Sequence, residues 1–416
     1  MRMSLTIEEI TDREQWNNFL QAQPRGHLLQ SYEWGELNKY LGGRIYRLGA
    51  LQEGEMIGAM LLTVNPVPLP VKIPGVELKW LYSVRGPTVT SPDSPALPAL
   101  IQHAHLIARK ERAVVLRIEP NIADDDPNQQ EWINAYQRLG FRNNAIAVHG
   151  RRSWVLDIRP PAEELLAKFK MTWRQNVRSA ARKGVVIREA TTDADFDAYY
   201  ELMKITSERD AFFIHDKAYH KEILRHFASK GDAVLFLAEH EGEAIAAKML
   251  IRFGDWCWDM FGASSNHKRN LKPTYLLQYH CIQWAQSKGC THFDFRTIPE
   301  ILEPGEEMWG VYEYKKGFGG FSRLNIPTQD FVYRPAIYTL WTTLVEWKRA
   351  RRARERRKVE LERAASGQLQ TKRPEKTSPA AAQNGAKSAQ NPAEKQIAGS
   401  KKKPPVEQQK KAEKSA

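Results

Sequence analysis

The sequence predicts a mixed α/β protein that contains two copies of one structural unit, followed by a basic helix and a disordered basic tail. A strand–turn–strand pattern occurs around Glu53-Gly54-Glu55 and again around Glu241-Gly242-Glu243. The elements that follow the first hairpin recur after the second at one constant offset along the chain. Near residue 346 the composition changes, and basic residues begin to dominate. These observations predict a duplicated fold with a C-terminal extension.

The first copy is predicted to begin with helices and to continue as a hairpin, a strand, a helix, a strand and a helix. Apolar residues recur at helical spacing within residues 14–41, 95–110 and 131–139. Alternating or continuous apolar runs predict strands at residues 45–51, 56–64, 80–84 and 113–118. A proline-rich excursion at residues 66–74 interrupts this copy after its hairpin.

The second copy repeats this order, beginning with predicted strands at 233–239 and 244–252. Three elements match at the same offset: helix 96–111 with 273–288, strand 114–118 with 291–295, and Gly140-Phe141 with Gly317-Phe318. The offset between the two hairpins is larger, because only the first copy contains the proline-rich excursion. The unit resembles the acetyltransferase-like (GNAT) fold, in which a glycine-rich loop before the central helix binds the acyl-CoA pyrophosphate. The corresponding loops, 85–90 and 262–270, lack that glycine spacing, so coenzyme A is not expected.

Four segments are predicted: a first domain (1–160), a second domain (161–334), a basic helix (335–365) and a disordered tail (366–416). Residues 346–416 contain 20 lysines and arginines and 8 acidic residues, which supplies +12 of the formal net charge of +13. The first 345 residues are therefore nearly neutral, and the high overall charge says little about their binding surface. The tail either increases solubility or is weakly attracted to RNA or to an anionic membrane surface.

The composition also indicates the cellular setting. The three cysteines form no CxxC pair, which favours a reduced compartment. No signal-peptide pattern and no apolar run of membrane-spanning length occur, so we expect a cytoplasmic protein, optionally peripheral at the inner face of the membrane. The histidines lack the spacing of a zinc site, and no metal is expected.

A basic segment, residues 162–184, is predicted to form a helix between the two copies. Arg174, Arg178 and Arg182 recur every four residues, and Lys170 lies nearby. A solvated helix face explains this pattern as well as a face that contacts phosphate groups.

The candidate catalytic groups lie at the ends of predicted strands and in one glycine turn. No GxSxG motif and no cysteine in a reactive context occur. Glu119 and Asp294 are candidate general bases, although an ordinary strand-end carboxylate explains Asp294 better. Lys315 precedes Gly317 and Gly319, and a lysine beside a flexible turn can approach a ligand and stabilise an oxyanion. A structural turn with solvated lysines is the alternative.

Five separated stretches resemble the Fem family of peptidoglycan interpeptide-bridge aminoacyltransferases. They are residues 30–35 with Lys39, 173–185, 208–212, 261–278 and 314–320. Together they extend over most of the chain before the basic extension, and the two GNAT-like domains of that family agree with the repeat.

The resemblance implies transfer of an aminoacyl group from aminoacyl-tRNA to the side-chain amine of the third stem-peptide residue of a peptidoglycan precursor. It implies that Lys315, with Tyr314 beside it, faces the aminoacyl ester, and that no cofactor is needed. The precursor is lipid-linked or UDP-linked. The residues implied to bind it are Lys39 and Arg209 at its phosphates, with Glu119 and Trp34. The residues that would contact the tRNA backbone are Lys170, Arg174, Arg178 and Arg182. The attacking amine is deprotonated either by Glu119 or with assistance from the substrate.

The sequence departs from the family pattern at Ala211, where glycine is frequent, and at Trp256 and Trp258, where tyrosine is common. Two other functions remain compatible with the sequence. One is an N-acyltransferase that uses another donor, such as acyl-CoA, in cell-envelope polysaccharide assembly. The other is a non-catalytic binding protein at the membrane surface. The sequence does not identify the amino acid that is transferred.

Overall fold

The computed structural model describes residues 4–68, 77–144 and 146–365. Residues up to Arg349 form one compact unit that carries both β-sheets, and the rest of the last helix belongs to a second unit. The predicted disordered tail, 366–416, lies outside the described residues.

Fifteen strands are present among the described residues. They are β1 (Leu5–Glu9), β2 (Arg44–Gln52), β3 (Glu55–Pro66), β4 (Lys79–Arg85), β5 (Thr88–Val89), β6 (Ala113–Pro120), β7 (Arg142–Asn144), β8 (Arg152–Asp157), β9 (Val186–Glu189), β10 (Ala233–His240), β11 (Glu243–Phe253), β12 (Trp256–Ser264), β13 (His292–Thr297), β14 (Phe321–Leu324) and β15 (Thr328–Val332).

Eleven α-helices accompany them in the same described ranges. They are α1 (Arg13–Ala22), α2 (Tyr32–Tyr40), α3 (Ala96–Lys110), α4 (Gln129–Arg138), α5 (Ala162–Lys168), α6 (Met171–Arg182), α7 (Asp193–Asp210), α8 (Lys217–Ala228), α9 (Pro273–Ser287), α10 (Trp309–Lys316) and α11 (Pro335–Ala365).

The two sheets have the same strand order. The first runs β1-β2-β3-β4-β6-β15-β7, and the second runs β9-β10-β11-β12-β13-β8-β14. Each sheet has one parallel pair at the same place, β4 with β6 and β12 with β13. The central helices α3 and α9 match the predicted helices, and β6 and β13 match the predicted strands that follow them. The predicted duplication is therefore confirmed.

The two hairpins agree in detail. At the turns, Glu53 and Gly54 have φ values of 53° and 86°, and Glu241 and Gly242 have values of 55° and 77°. Two successive residues with positive φ make the turn whose twist matches that of paired strands, and glycine is favoured at its second position. A β-bulge follows at the equivalent place in both hairpins, beside Ala50 and beside Ala238.

Each sheet also receives one strand from the other part of the chain. β8 precedes residue 160 but lies in the second sheet, between β13 and β14. β15 follows the whole second copy but lies in the first sheet, between β6 and β7. The predicted boundary at residue 160 stays a prediction, and strand pairing crosses it in both directions.

Three apolar cores hold the unit together. One lies under the first sheet around Trp132 and Tyr136, and one lies under the second sheet around Phe293 and Phe318. The third joins residues of both copies, including Trp16 of α1 and Tyr199 of α7, and both of these side chains are fully buried. This shared core fixes the position of one sheet against the other.

The prediction of one continuous helix over residues 162–184 is wrong, because the helix is interrupted between α5 and α6. Phe169 is extended there, with ψ of 151°, and its buried ring packs edge-on against Phe318 and Tyr279. The backbone N–H of Lys170 donates to the carbonyl of Gly317 at 2.8 Å. Burial of the Phe169 ring and this tertiary hydrogen bond together offset the free energy lost by interrupting the helix.

Candidate active site

A polar cavity lies where the two sheets meet. It has an empty volume of about 580 Å³, part of which is open to solvent. The first copy contributes His27, Arg85 and His149 to its wall. The second copy contributes Trp256, Trp258, Asp294, Arg296, Thr297 and Arg323. A site built from both copies depends on the packing between them.

The wall of the second copy is shaped by the parallel pair β12 and β13. Their pairing ends at Trp258 opposite Asp294, and the pairing of β13 with β8 is irregular between Asp294 and Thr297. Within this irregular step Arg296 has a φ of 65°, and its N–H donates to Asp294 Oδ1 at 2.6 Å. The bulge places the Asp294 and Arg296 side chains in the same cavity wall.

The cavity carries an excess of positive charge. Arg323 forms an ion pair with Asp125, with Nε 3.0 Å from Oδ2. Arg85 and Arg296, in contrast, form no ion pair with any of the described residues. Arg85 Nη2 donates to the carbonyl of Gly150 at 2.7 Å, and Arg296 Nη1 lies 2.9 Å from Met260 Sδ. The two partly or fully buried guanidinium groups therefore contact only neutral atoms, while the charge of Asp294 lies near that of Arg296.

The two cavity histidines are neutral donors or acceptors in this field. Burial, followed by the charges of Arg85 and Arg296, lowers the pKa of His27 well below its usual value. His27 Nδ1 accepts from the N–H of Leu29 at 3.0 Å, so the proton of the neutral ring is on Nε2. Burial likewise lowers the pKa of His149.

Lys315 is joined to the cavity through Thr297. Its amino group donates to the Thr297 carbonyl at 2.7 Å. Burial is the main cause that lowers the pKa of Lys315 to about 7, against the opposing effect of Asp259. Asp259 itself forms a buried ion pair with Lys248. The amino group is therefore about half protonated at neutral pH, which suits both proton transfer and charge stabilisation.

The end of α10 is fixed by α6. Trp173 Nε1 donates to the Tyr314 carbonyl at 2.9 Å, and the indole packs directly on Gly317. A Cβ at Gly317 would lie 2.3 Å from the indole, so only glycine fits there. The Tyr314 hydroxyl donates to the Thr274 carbonyl at 2.8 Å, which ties α10 to the start of α9. These contacts hold Lys315 directly behind the cavity wall, on the carbonyl of Thr297.

Glu119 lies beside the cavity as a fully hydrogen-bonded carboxylate. It accepts from the Tyr82 hydroxyl at 2.6 Å, from the Val148 N–H at 2.6 Å and from Thr328 Oγ1 at 3.1 Å. Burial alone would raise its pKa, but contacts with His149 and Tyr82 hold the pKa at about 2. A carboxylate with so low a pKa is a weak base at neutral pH, which argues against Glu119 as the group that deprotonates the amine.

The other residues implied for the precursor lie outside the cavity wall. Lys39, at the end of α2, is half exposed and pairs with Glu36 at 2.9 Å. Arg209, at the end of α7, donates to the Ser264 carbonyl at 2.9 Å and pairs with Asp210 at 2.9 Å. Trp34 packs between the core shared by the two copies and a small cluster around Leu29 and Val84.

The basic residues implied for tRNA lie on and just before α6. Arg178, Arg182 and Lys170 are exposed, while Arg174 is partly buried and donates to the Ala167 carbonyl at 2.9 Å. Lys170 also lies 5.1 Å from the Trp173 ring. Since Trp173 contacts Tyr314 and Gly317, this basic face is continuous with the end of α10.

Sequence reasoning missed most of the cavity. It singled out Asp294 in the wall and Lys315 behind it, and it noted Trp256 and Trp258 as departures from the family pattern. The other charged and imidazole side chains of the wall carried no local signal: His27, Arg85, His149 and Arg296. The nearest signal was the loop after β4, residues 85–90, which contains Arg85. Like the equivalent loop 262–270 in the second copy, it lacks the glycine spacing of an acyl-CoA site. Arg85 and Arg296 have positive φ values, 55° and 65°. Arginine has no preference for this conformation, so the sequence gives no reason to expect it there.

Comparison with known proteins supplies a family. The model described as the FemAB family matches residues 11–244 and 238–345. The lipid II:glycine glycyltransferase of Staphylococcus aureus strain USA300 is 25% identical over 402 residues, which covers 80% of this chain and 94% of that protein.

Two solved structures have a similar fold. The crystal structure of FemX has a TM-score of 0.72 at 23% identity and covers 80% of this chain and 99% of that one. A tandem GNAT protein from the clavulanic acid biosynthesis pathway has a TM-score of 0.51 at 13% identity, over 79% and 98%. The predicted pair of tandem GNAT-like domains is thereby confirmed.

Proposed function

Because the chain belongs to the FemAB family, we propose that it is a transferase that adds an aminoacyl group to the stem peptide of a peptidoglycan precursor. Its donor is an aminoacyl-tRNA, and its acceptor is the side-chain amine of the third stem-peptide residue on a lipid-linked or UDP-linked precursor. The observation that carries the proposal is the amino group of Lys315, which is hydrogen-bonded to Thr297 in the wall of the cavity between the two sheets. The relatives named lipid II:glycine glycyltransferase support the acceptor class.

The geometry suits aminolysis of an ester. The acceptor nitrogen attacks the ester carbonyl, a C–N bond forms, and the C–O bond to the ribose breaks. The nitrogen loses a proton and the ribose oxygen gains one, so no cofactor is required. In its cationic form Lys315 stabilises the tetrahedral oxyanion, because a fixed donor in a partly dry site is worth more than one in water. The Thr297 carbonyl keeps its amino group in place.

The tRNA approaches along α6 in this proposal. Lys170, Arg174, Arg178 and Arg182 contact phosphates there, where arginine forms paired hydrogen bonds. Since α6 packs on the end of α10 through Trp173, the 3′ end of a tRNA on this face is directed to Lys315. Lys39 and Arg209 bind the precursor phosphates outside the cavity wall, and each exchanges a carboxylate partner for a phosphate.

Two observations favour aminoacyl-tRNA over an acyl-CoA donor. Helix α9 begins at Pro273, which has no N–H, after Lys272 with a φ of 60°. Helix α3 begins at Ala96 after Pro95, and Pro98 removes one N–H from its first turn. A pyrophosphate at the start of these helices would lack N–H groups that the acyl-CoA site of this fold uses.

Association with the membrane surface forms part of the proposal. No helix of the described residues is long and apolar enough to cross a bilayer. The basic stretch that begins at Lys348 favours an anionic surface, which is where a lipid-linked precursor is found. Enzyme and precursor then meet at the cytoplasmic face.

The test is transfer of a radiolabelled amino acid from charged tRNA to purified precursor. Lys315→Met should lower the rate of transfer by about 100-fold or more, the cost of removing one oxyanion donor. Lys316→Met is the matched control, because Lys316 lies beside the Tyr312 ring rather than in the cavity wall and should leave the rate unchanged. No transfer from any charged tRNA by the wild type, or equal rates in the two variants, would contradict the proposal.

A further inference from the structure

We propose that the cavity recognises an acceptor carbon that carries both an ammonium and a carboxylate group, so that the third stem-peptide residue is a diamino dicarboxylic acid of the diaminopimelate class rather than lysine. This inference deepens the proposed function and depends on it. It starts from the two cavity arginines that have neutral partners only.

Arg85 and Arg296 are held in place without being neutralised. Arg85, at the end of β4, is anchored by the Gly150 carbonyl, and Arg296, in the bulge of β13, is anchored by its own backbone contact to Asp294 and by Met260. Burial is the main cause that lowers the pKa of Arg296; the charge of Asp294 opposes this effect, and the charge of Arg85 adds to it. Because neither guanidinium forms an ion pair with a described carboxylate, an anion that enters the cavity is stabilised by both.

The anion that fits best is a carboxylate. An arginine guanidinium donates two parallel hydrogen bonds to a carboxylate, and here one arginine comes from each copy of the fold. His27 adds a neutral Nε2–H donor in the same cavity wall. A lysine side chain offers no anion to any of these three donors.

Asp294 provides the complementary half of the site. Burial raises the pKa of its carboxyl group, which makes Asp294 a better proton acceptor than an exposed aspartate. Its Oδ1 accepts from the Arg296 N–H, and the carboxyl lies in the cavity wall. An amino-acid carbon carries both an ammonium group and a carboxylate. Bound in this cavity, it would place the ammonium group next to Asp294 and the carboxylate next to the arginines.

The same arrangement argues against a phosphate in this cavity. A phosphate dianion would lie against the Asp294 carboxylate and between two tryptophans, Trp256 and Trp258, which offer mainly apolar ring surface. A zwitterionic carbon matches both signs of charge. Its amine, once its proton passes to Asp294, can attack an ester held at Lys315.

The test compares three precursors that differ only at the third residue: diaminopimelate, its amide at the carboxylate next to the acceptor amine, and lysine. The wild type should use the free acid with kcat/KM at least about 100-fold above the other two, because both lack the anion for which the donors are arranged. Arg85→Gln and Arg296→Gln should each remove most of this preference by lowering kcat/KM for the free acid alone. Arg159→Gln, an exposed arginine paired with Asp157, is the control and should keep the preference.

Thermal unfolding of each variant verifies that it folds. Equal use of the three precursors by the wild type would overturn the inference. So would arginine variants that lose activity equally on all three, since the arginines would then bind some other anion. If none of the precursors reacts, the proposed function fails, and equilibrium binding of the three UDP-linked precursors decides the inference alone. Tighter binding of the free acid supports it, and equal binding overturns it.

Discussion

Substituting Gly317 by alanine should displace Lys315, the proposed catalytic residue, which lies two places earlier in the chain. A Cβ at this position would lie 2.3 Å from both Cε2 and Nε1 of Trp173. The indole cannot retreat without breaking its hydrogen bond to the Tyr314 carbonyl, which is 2.9 Å long. The substitution therefore strains one of the contacts that set the position of the end of α10.

The size of the effect follows from these contacts. Overpacking in a well-packed region costs about 1–3 kcal/mol, and loss of the hydrogen bond costs about 1 kcal/mol more. We therefore expect the free energy of unfolding to fall by roughly 2–4 kcal/mol. A shift of Lys315 by about 1 Å should lower the rate of transfer by about 100-fold, since catalytic groups tolerate little misplacement.

Gly310 offers a matched control in the same helix. A Cβ there meets no atom within 4 Å, and the residue lies inside α10. Gly310→Ala should therefore leave activity unchanged and raise stability by up to about 1 kcal/mol through helix propensity. Chemical unfolding and single-turnover transfer would be measured for both variants. If Gly317→Ala behaves like Gly310→Ala in both assays, the indole does not position α10 and the reasoning is refuted.

Two further predictions concern pH. Below about pH 7 the rate of transfer should rise about tenfold per pH unit, because the acceptor amine loses its proton. Above about pH 7 the rate should level off, because Lys315, with its pKa of about 7, loses its charge. Single-turnover rates across pH 6–9 test this, and a rate that keeps rising to about pH 9 would contradict the role of the cation. Glu119 has a folded pKa of about 2, below its ordinary value of 4.5, so its stabilisation is complete above about pH 5 and is lost as the pH falls towards 2. The loss should amount to roughly 3 kcal/mol in unfolding experiments, and Glu119→Gln should flatten the acid dependence; an unchanged slope would show that the hydrogen bonds to this carboxylate contribute little.

The features that sequence reasoning predicted are those with local causes. The turn at Glu53-Gly54 needs two residues with positive φ, and its twin at Glu241-Gly242 repeats the pattern. Helix α3 carries a strong apolar period, and α9, whose apolar residues are spread around the helix, was located by its constant offset from α3; the predicted and observed bounds of both nearly coincide. Lys315 was singled out because of the glycine turn that follows it, and its catalytic role stays a prediction.

The features that escaped prediction depend on contacts between distant segments. Arg296 enters the cavity through a bulge created by the different partners of β13 on its two sides. The break at Phe169 results from packing against Phe318, which lies in the turn after α10, far along the chain. Glu119 was proposed as a base from its place at a strand end, but the side chains of His149 and Tyr82, from two other segments, hold its pKa low against the opposing effect of burial. A single sequence contains no signal for these pairings.

The exchange of β8 and β15 between the two sheets has a consequence for how the chain folds during synthesis on the ribosome. The position between β6 and β7 in the first sheet is filled only by Thr328–Val332, and among the described strands β7 pairs with no other. The first sheet therefore cannot be completed until Thr328–Val332 has been made, long after its other strands have emerged. The last strand to leave the ribosome finishes the first sheet, so the enzyme acquires its cavity only when translation has passed nearly the whole folded region.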